Sequence, residues 1–338
     1  MAAERIALIK LSSVGDVVHA LPVAATLKAA RPATRLTWIV ERREAAVLHE
    51  HPALDEVIVV DTRGWRKARA PRDLLAMARD VGAVRRRLRA ARIDIAIDLQ
   101  GLIKSGLVTA ATGAARRIGF DRQFGREPAA ALFTNESVIP PVERHVVEQY
   151  LALLRPLGIT EPTLEFSLPI VAGAEAHVEE WLAGAGLKPR ERLVVLNPGA
   201  GRADKRWPVR RFAELAARLA RDDGANVVVA WGPGEEGAAG AIVAGTGSGI
   251  PRALMAPPTD LHELIALLRR ASVMVAADTG PLHLAAALGT PCVGLYGPTT
   301  PERNGPYGPG HRVLRAPGAA MAMLEAEPVL AAVLEHLA

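Results

Sequence analysis

The stretch from Ser272 to Gly297, SVMVAADTGPLHLAAALGTPCVGLYG, leaves the fewest choices of fold. Val273 to Ala277 is an apolar run short enough for a buried strand. Asp278-Thr279-Gly280 breaks it, and Pro281 suits the first helical turn, where a missing N–H costs nothing. Leu282 to Leu288 predicts about two helical turns. Gly289 stops them, and Cys292 to Tyr296 returns as another strand. Apolar strands of this kind belong to parallel sheets, whose polar working groups stand at the carboxyl ends. The turn thus gathers a carboxylate, a hydroxyl and, one helical turn on, His283. Free N–H groups at the helix start favour an anion beside Thr279 and Gly280, such as the phosphates of a nucleotide-linked donor. Taken on their own, His283 is as readily a core histidine and Asp278 a turn-forming carboxylate.

The same strand–turn–helix grammar runs through the chain. Strands are expected at Arg5 to Leu11, Arg35 to Val40, Glu56 to Val60, Ile93 to Leu99 and Arg116 to Phe120, with a further short one at Asn135 to Ile139. Val17 to Ala30 reads as a helix after the turn Ser12-Ser13-Val14-Gly15-Asp16. Residues 63–70 read as a loop leading to a helix from Pro71, and His145 to Leu154 as a linking helix. Prolines and short extended pieces between Pro156 and Pro169 place a domain change at 155–175. The pattern restarts with a helix at Ala174 to Ala183, a strand at Leu193 to Leu196, the turn Asn197-Pro198-Gly199-Ala200-Gly201, a helix at Phe212 to Arg221 and a strand at Val227 to Trp231. Asp260 and Glu263 have the spacing of an acidic capping box before Leu264 to Leu268. The alternation predicts an α/β protein with mainly parallel sheets. Residues 1–165 form a first domain and 175–320 a second. Residues 321–338 are a terminal helix for which packing back on the first domain is one option.

Charge and composition narrow the partners. The 338 residues are half hydrophobic and 23% charged, a globular balance. The formal charge is +5, yet Arg63 to Arg92 holds eleven Arg or Lys against Asp73 and Asp80, a local +9. Such a segment suits a phosphorylated lipid, membrane headgroups or nucleic acid, or else is a solvated helix face. Five Phe and three Tyr without basic–aromatic interleaving argue against a nucleic-acid stacking platform. Neither first turn carries G-x-G-x-x-G, which argues against a nicotinamide-dependent oxidoreductase. Cys292, the lone cysteine, is read as a core residue. The start MAAERIALIK has no long apolar run, and none elsewhere reaches spanning length, so a cytoplasmic protein touching the membrane from that side is expected.

Five separated segments carry a family resemblance: KLSSVGDVVHALP at 10–22, DLQGLIKSGL at 98–107, IGFDRQFGREPAAALF at 118–133, ADKRWP at 203–208 and DTGPLHLAAALGTPCVGLYGPT at 278–299. In these the chain resembles the ADP-heptose lipopolysaccharide heptosyltransferases, glycosyltransferase family 9, over nearly its full length, and the type I members most. NPGAG at 197–201 has instead the style of the type II members. The resemblance implies a GT-B fold, two Rossmann-like domains facing across a cleft, with acceptor on the first and nucleotide sugar on the second. It implies inverting transfer of L-glycero-D-manno-heptose from ADP-heptose to the Kdo region of Kdo2-lipid A, with no metal and no cofactor. Other family members with a different donor or acceptor remain the alternative.

By the same resemblance Asp16 is the proposed base that takes the acceptor proton. From the residues alone it is as readily a helix-capping aspartate. Lys205 matches the lysine that contacts the donor phosphates and assists catalysis; on its own it would be a solvated surface lysine. A departing diphosphate gains negative charge, so cations and N–H groups belong beside it. Ala200, Glu235, Asp278, Thr279, Gly280 and His283 complete the donor set. Glu235 is the ribose-binding acid, with Glu236 one residue away as the competing choice. The acceptor set is Ser13, Gly15, Arg63, Arg66, Lys67, Lys104, Arg122 and Arg126, whose basic members suit an anionic Kdo-lipid A.

Overall fold

Short apolar runs ending in polar turns become two all-parallel six-stranded sheets in the computed structural model, which describes residues 3–67, 69–189, 191–221, 224–247 and 253–338. The chain divides into two compact units, Met1–Ser167 and Leu168–Ala338. In the first, β1 (Arg5–Ile9) leads to α1 (Val14–Ala30), β2 (Arg35–Glu41), β3 (Glu56–Val60), α2 (Thr62–Lys67) and α3 (Pro71–Ala90). Then come β4 (Ile95–Asp98), α4 (Ile103–Thr112), β5 (Arg116–Phe120), β6 (Glu136–Val138) and α5 (Val146–Leu151). The sheet order is β3-β2-β1-β4-β5-β6. Ile6 to Ile9 are fully buried, and Ile9 pairs with Ile39 on one side and Asp98 on the other.

The second unit repeats the scheme. It runs α6 (Ala172–Gly184), β7 (Leu193–Asn197), α7 (Val209–Arg221), β8 (Asn226–Val229), α8 (Glu236–Gly245), β9 (Ala253–Met255) and α9 (Leu261–Arg270). It continues with β10 (Val273–Ala277), α10 (Gly280–Ala287), β11 (Cys292–Tyr296), α11 (Pro301–Asn304), β12 (Arg312–Arg315) and α12 (Ala326–Leu337). Its order is β12-β11-β10-β7-β8-β9. Counted from the first strand of each unit, both are the 3-2-1-4-5-6 arrangement of a Rossmann-type domain, whose ligand crevice lies where the strand order reverses. That point falls between β1 and β4 in one unit and between β7 and β10 in the other.

Several expectations change. Residues 62–67 are helix rather than loop, with the Trp65 indole donating to Asp80 (2.7 Å) and so tying α2 to α3. Helix α1 starts three residues early, because Ser13 caps it and Asp16 already lies in its first turn. The helix after His145, read as a linking helix within residues 1–165, runs only over Val146–Leu151 and packs on α1. The terminal helix sends Val329, Leu330, Val333 and Leu337 into the core of the second unit beside Trp207 and Phe212. The apolar stripe of α12 is satisfied there. Helix α8 and strand β9 were not foreseen.

Candidate active site

Each reversal point in strand order holds a carboxylate paired with a lysine or arginine. In the first unit Asp16 lies in the first turn of α1, the helix that follows β1, and uses its two oxygens differently. Oδ2 accepts the Ser13 backbone N–H (3.2 Å) and hydroxyl (3.1 Å), closing the start of α1. Oδ1 accepts Arg126 Nη2 (2.6 Å) and the Tyr150 hydroxyl (3.0 Å), with Lys10 Nζ at 3.5 Å. Capping and site chemistry therefore share one side chain. Burial pushes the Asp16 carboxyl up, but Lys10, Arg126 and the bond from Ser13 outweigh it and hold it far below the usual carboxylate range.

The frame around Asp16 comes from strand ends. Lys10, fully buried just past β1, donates to the Leu99 carbonyl (3.2 Å) and Tyr150 hydroxyl (2.7 Å). Burial lowers its ammonium to about 8 despite the pull of Asp16. Gln100 accepts the Leu11 and Ser12 N–H groups (2.7 and 3.2 Å), stitching the turn after β4 to the turn after β1. Asp98 shapes the turn after β4 by accepting from the Gln100 and Gly101 N–H groups and the Ser105 hydroxyl (2.9, 3.1 and 2.9 Å). Sequence reading assigned Lys10, Tyr150, Gln100 and Asp98 no role. Lys10, Asp98 and Gln100 lie inside the family segments, but Tyr150 becomes visible only when α5 is folded onto α1.

Of the expected acceptor residues, the structure brings Ser13 and Arg126 onto Asp16. Gly15 is buried in the first turn of α1. Lys104 donates to the Ser12 hydroxyl (3.2 Å) and lies 3.6 Å from the buried Glu41 carboxylate. Arg63 is held by buried Glu44 (2.8 Å), whose carboxyl burial pushes up against that pairing. Arg66 and Lys67 are exposed on α2, and Arg122 is exposed after β5. Among the described residues no hydrogen bond or ion pair joins these three to Asp16.

In the second unit Asp278 follows β10 and takes Lys205 on Oδ2 (2.7 Å), while His283 Nε2 lies 3.1 Å from Oδ1. Its side chain is 8% exposed. Burial raises this carboxyl, yet His283 and Lys205 prevail and bring it to about 2. Thr279 is the N-cap of α10, its hydroxyl donating to Ala277 (3.1 Å), so the backbone at Gly280 opens the helix. Lys205 arrives on a short helical turn after β7, braced by Arg206, which donates twice to the Ala200 carbonyl (both 3.2 Å). The Trp207 indole anchors the segment to the Leu324 carbonyl (2.9 Å). The Glu235 carboxylate accepts the Gly232 N–H (2.9 Å) and lies against Gly199, where a Cβ would collide with it. Glu235 thus faces the same turn as Ala200, whereas Glu236 begins α8.

A model of glycosyltransferase family 9 (heptosyltransferase) matches residues 81–332. Lipopolysaccharide heptosyltransferase 1 of Escherichia coli O18:K1:H7 is 34% identical over 326 residues, spanning 96% of this chain and 95% of that protein. The counterpart from Pseudomonas aeruginosa is 35% identical over 308 residues, 90% of this chain and 81% of its own. The solved E. coli heptosyltransferase WaaC with ADP superposes with a TM-score of 0.83 at 32% identity, covering 98% and 99% of the two chains. The same enzyme with ADP-2-deoxy-2-fluoro heptose gives 0.78 at 33% identity, covering 99% and 100%.

Proposed function

From the premise that this chain belongs to glycosyltransferase family 9 and has the GT-B fold of two Rossmann-like domains, we propose that it moves L-glycero-D-manno-heptose from ADP-heptose to the Kdo region of Kdo2-lipid A, inverting the anomeric carbon. Asp16 takes the proton of the acceptor hydroxyl as its oxygen attacks. The bond from the anomeric carbon to the diphosphate breaks as the new bond forms, and its electrons leave with ADP. Lys205 and the N–H groups opening α10 meet the charge that grows there. His283 and Asp278 hold Lys205 and the turn in place, and Glu235 receives the ribose hydroxyls.

The observation that carries the reading is the Lys205–Asp278–His283 constellation at the start of α10, set at the strand reversal where a Rossmann-type domain seats its nucleotide. Its donor-side nature is also what the ADP-heptose analogue held by WaaC supports. On the acceptor side, exposed Arg66 and Lys67 on α2 and the exposed Leu74 and Leu75 among the arginines of α3 fit contact with an anionic membrane surface.

Purified protein given ADP-heptose and Kdo2-lipid A should release ADP and a lipid heavier by one heptose in mass spectra. NMR of the product should show the inverted anomer. Asp16→Asn should keep the fold and lose about 10²–10⁴-fold in turnover, the usual range for a missing general base. Exclusive use of another sugar nucleotide would replace the named donor, and full turnover by Asp16→Asn would remove the base.

A further inference from the structure

The inference rests on Asp16 as the base of the proposed reaction, a role in which its carboxylate must become free to accept a proton. A carboxylate presents about four lone-pair sites. On Asp16 they are all taken, by the Ser13 N–H and hydroxyl on Oδ2 and by Arg126 and Tyr150 on Oδ1. No lone pair is open to an incoming hydroxyl, and two cations, Lys10 and Arg126, depress the proton affinity. One donor has to leave. Lys10 is fully buried and bonded to the Leu99 carbonyl, and Tyr150 is buried beneath it. The exposed Ser13 hydroxyl can rotate, but that frees a site while both cations stay. Arg126 is the exception: its side chain is 39% exposed, and it sits on the connection between β5 and β6.

We propose that Arg126 is a latch on Asp16, drawn off the base by the carboxylate of an acidic acceptor, so that the base is armed only when such an acceptor is seated. Arginine trades one carboxylate for another with its fork geometry intact, so the exchange costs it little. Asp16 gains an open site on Oδ1 and loses one of its two cations. The acceptor proton then passes to Oδ1 as the acceptor oxygen bonds to the anomeric carbon, and the diphosphate leaves with the electrons of the broken bond. The other charged or titratable groups here are fixed by their elements. They are Lys10 past β1, Asp98 at the end of β4, Lys104 on α4 held by Ser12 and Glu41, and Tyr150 on α5. Arg126 is thus a positioning residue whose departure, rather than presence, activates the base.

The test compares a methyl glycoside of Kdo with its neutral carboxamide, in wild type, Arg126→Gln and Arg126→Lys. Wild type should turn over the carboxamide about tenfold or more slowly in kcat, beyond any change in KM, because nothing unlatches Asp16. Arg126→Gln should recover most of that kcat, with a raised KM for the acid glycoside, and Arg126→Lys should fall between. In 13C-aspartate NMR, with the signal assigned through Asp16→Asn, Asp16 should titrate at higher pH in Arg126→Gln, and in wild type once the acid glycoside is added. A residue that only binds the acceptor would give no gain on the carboxamide, and in wild type no shift of Asp16 when the acid glycoside is added. Either result overturns the latch. The titration reads it even in a preparation that transfers no heptose, which would count against the proposed function instead.

Discussion

Gly199 shows how much one missing side chain can decide. A Cβ there would meet the Glu235 carboxylate, the far end of a flexible side chain. Gly199→Ala should therefore displace the acid rather than unfold the sheet. We expect roughly tenfold weaker ADP binding by calorimetry, about 1.4 kcal/mol, with an unchanged melting temperature. Glu235→Gln should weaken it similarly, and the double variant should add little. Asp278 gives a pH prediction at the same scale. Its folded pKa of about 2 lies below the 3.8 of an ordinary aspartate, so its stabilising contribution is complete above pH 4 and lost as pH falls through 2. The size is about 2 kcal/mol, at about 1.36 per unit. Acid titrations followed by circular dichroism should show a shallower loss between pH 4 and 2 in Asp278→Asn; an identical slope would sink the assignment.

Helices show where sequence reading reached and where it stopped. The strand–turn–helix of 272–297 was legible because its apolar run, its Thr-Gly-Pro start and its Gly stop agree. Helix α8, EGAAGAIVAG, was not, because glycine and alanine blur any 3.6-residue apolar period. Strand β9 has three residues, too few for alternation. Helix α2 was missed because its six residues hold a glycine and three cations. The Asp16 cluster was legible only in part: its partners Arg126 and Tyr150 lie 110 and 134 residues away, and no local pattern connects them. Helix α3 yields a prediction of its own. Of its twenty residues only Leu88 is buried, while Leu74 and Leu75 are exposed beside Arg72 and Arg79. Replacing Leu74 and Leu75 by Ser should change stability by about 0.5 kcal/mol or less each, as surface positions do. It should nonetheless reduce co-sedimentation with phosphatidylglycerol vesicles. Equal sedimentation would assign the helix to solvent.

At the scale of the whole chain, one Rossmann-type scheme is used twice, with different chemistry at the same topological point. In the first unit the reversal between β1 and β4 is built around the Asp16 carboxylate with Arg126 and Lys10 upon it. In the second the reversal between β7 and β10 is built around the Lys205–Asp278 pair at a helix start, with the Glu235 carboxylate against the turn after β7. Among the described residues each unit has a hydrophobic cluster of its own, around β1 in one and around β7 in the other. Ligands should therefore leave separate footprints in amide hydrogen exchange, since binding slows opening where the ligand sits. ADP should protect most strongly the turn after β7, residues 232–236 and the first turn of α10. Anionic vesicles should protect α2 and the first half of α3. Strongest ADP protection at residues 10–16 and 98–105 would mean that the nucleotide and acceptor roles of the two units are exchanged.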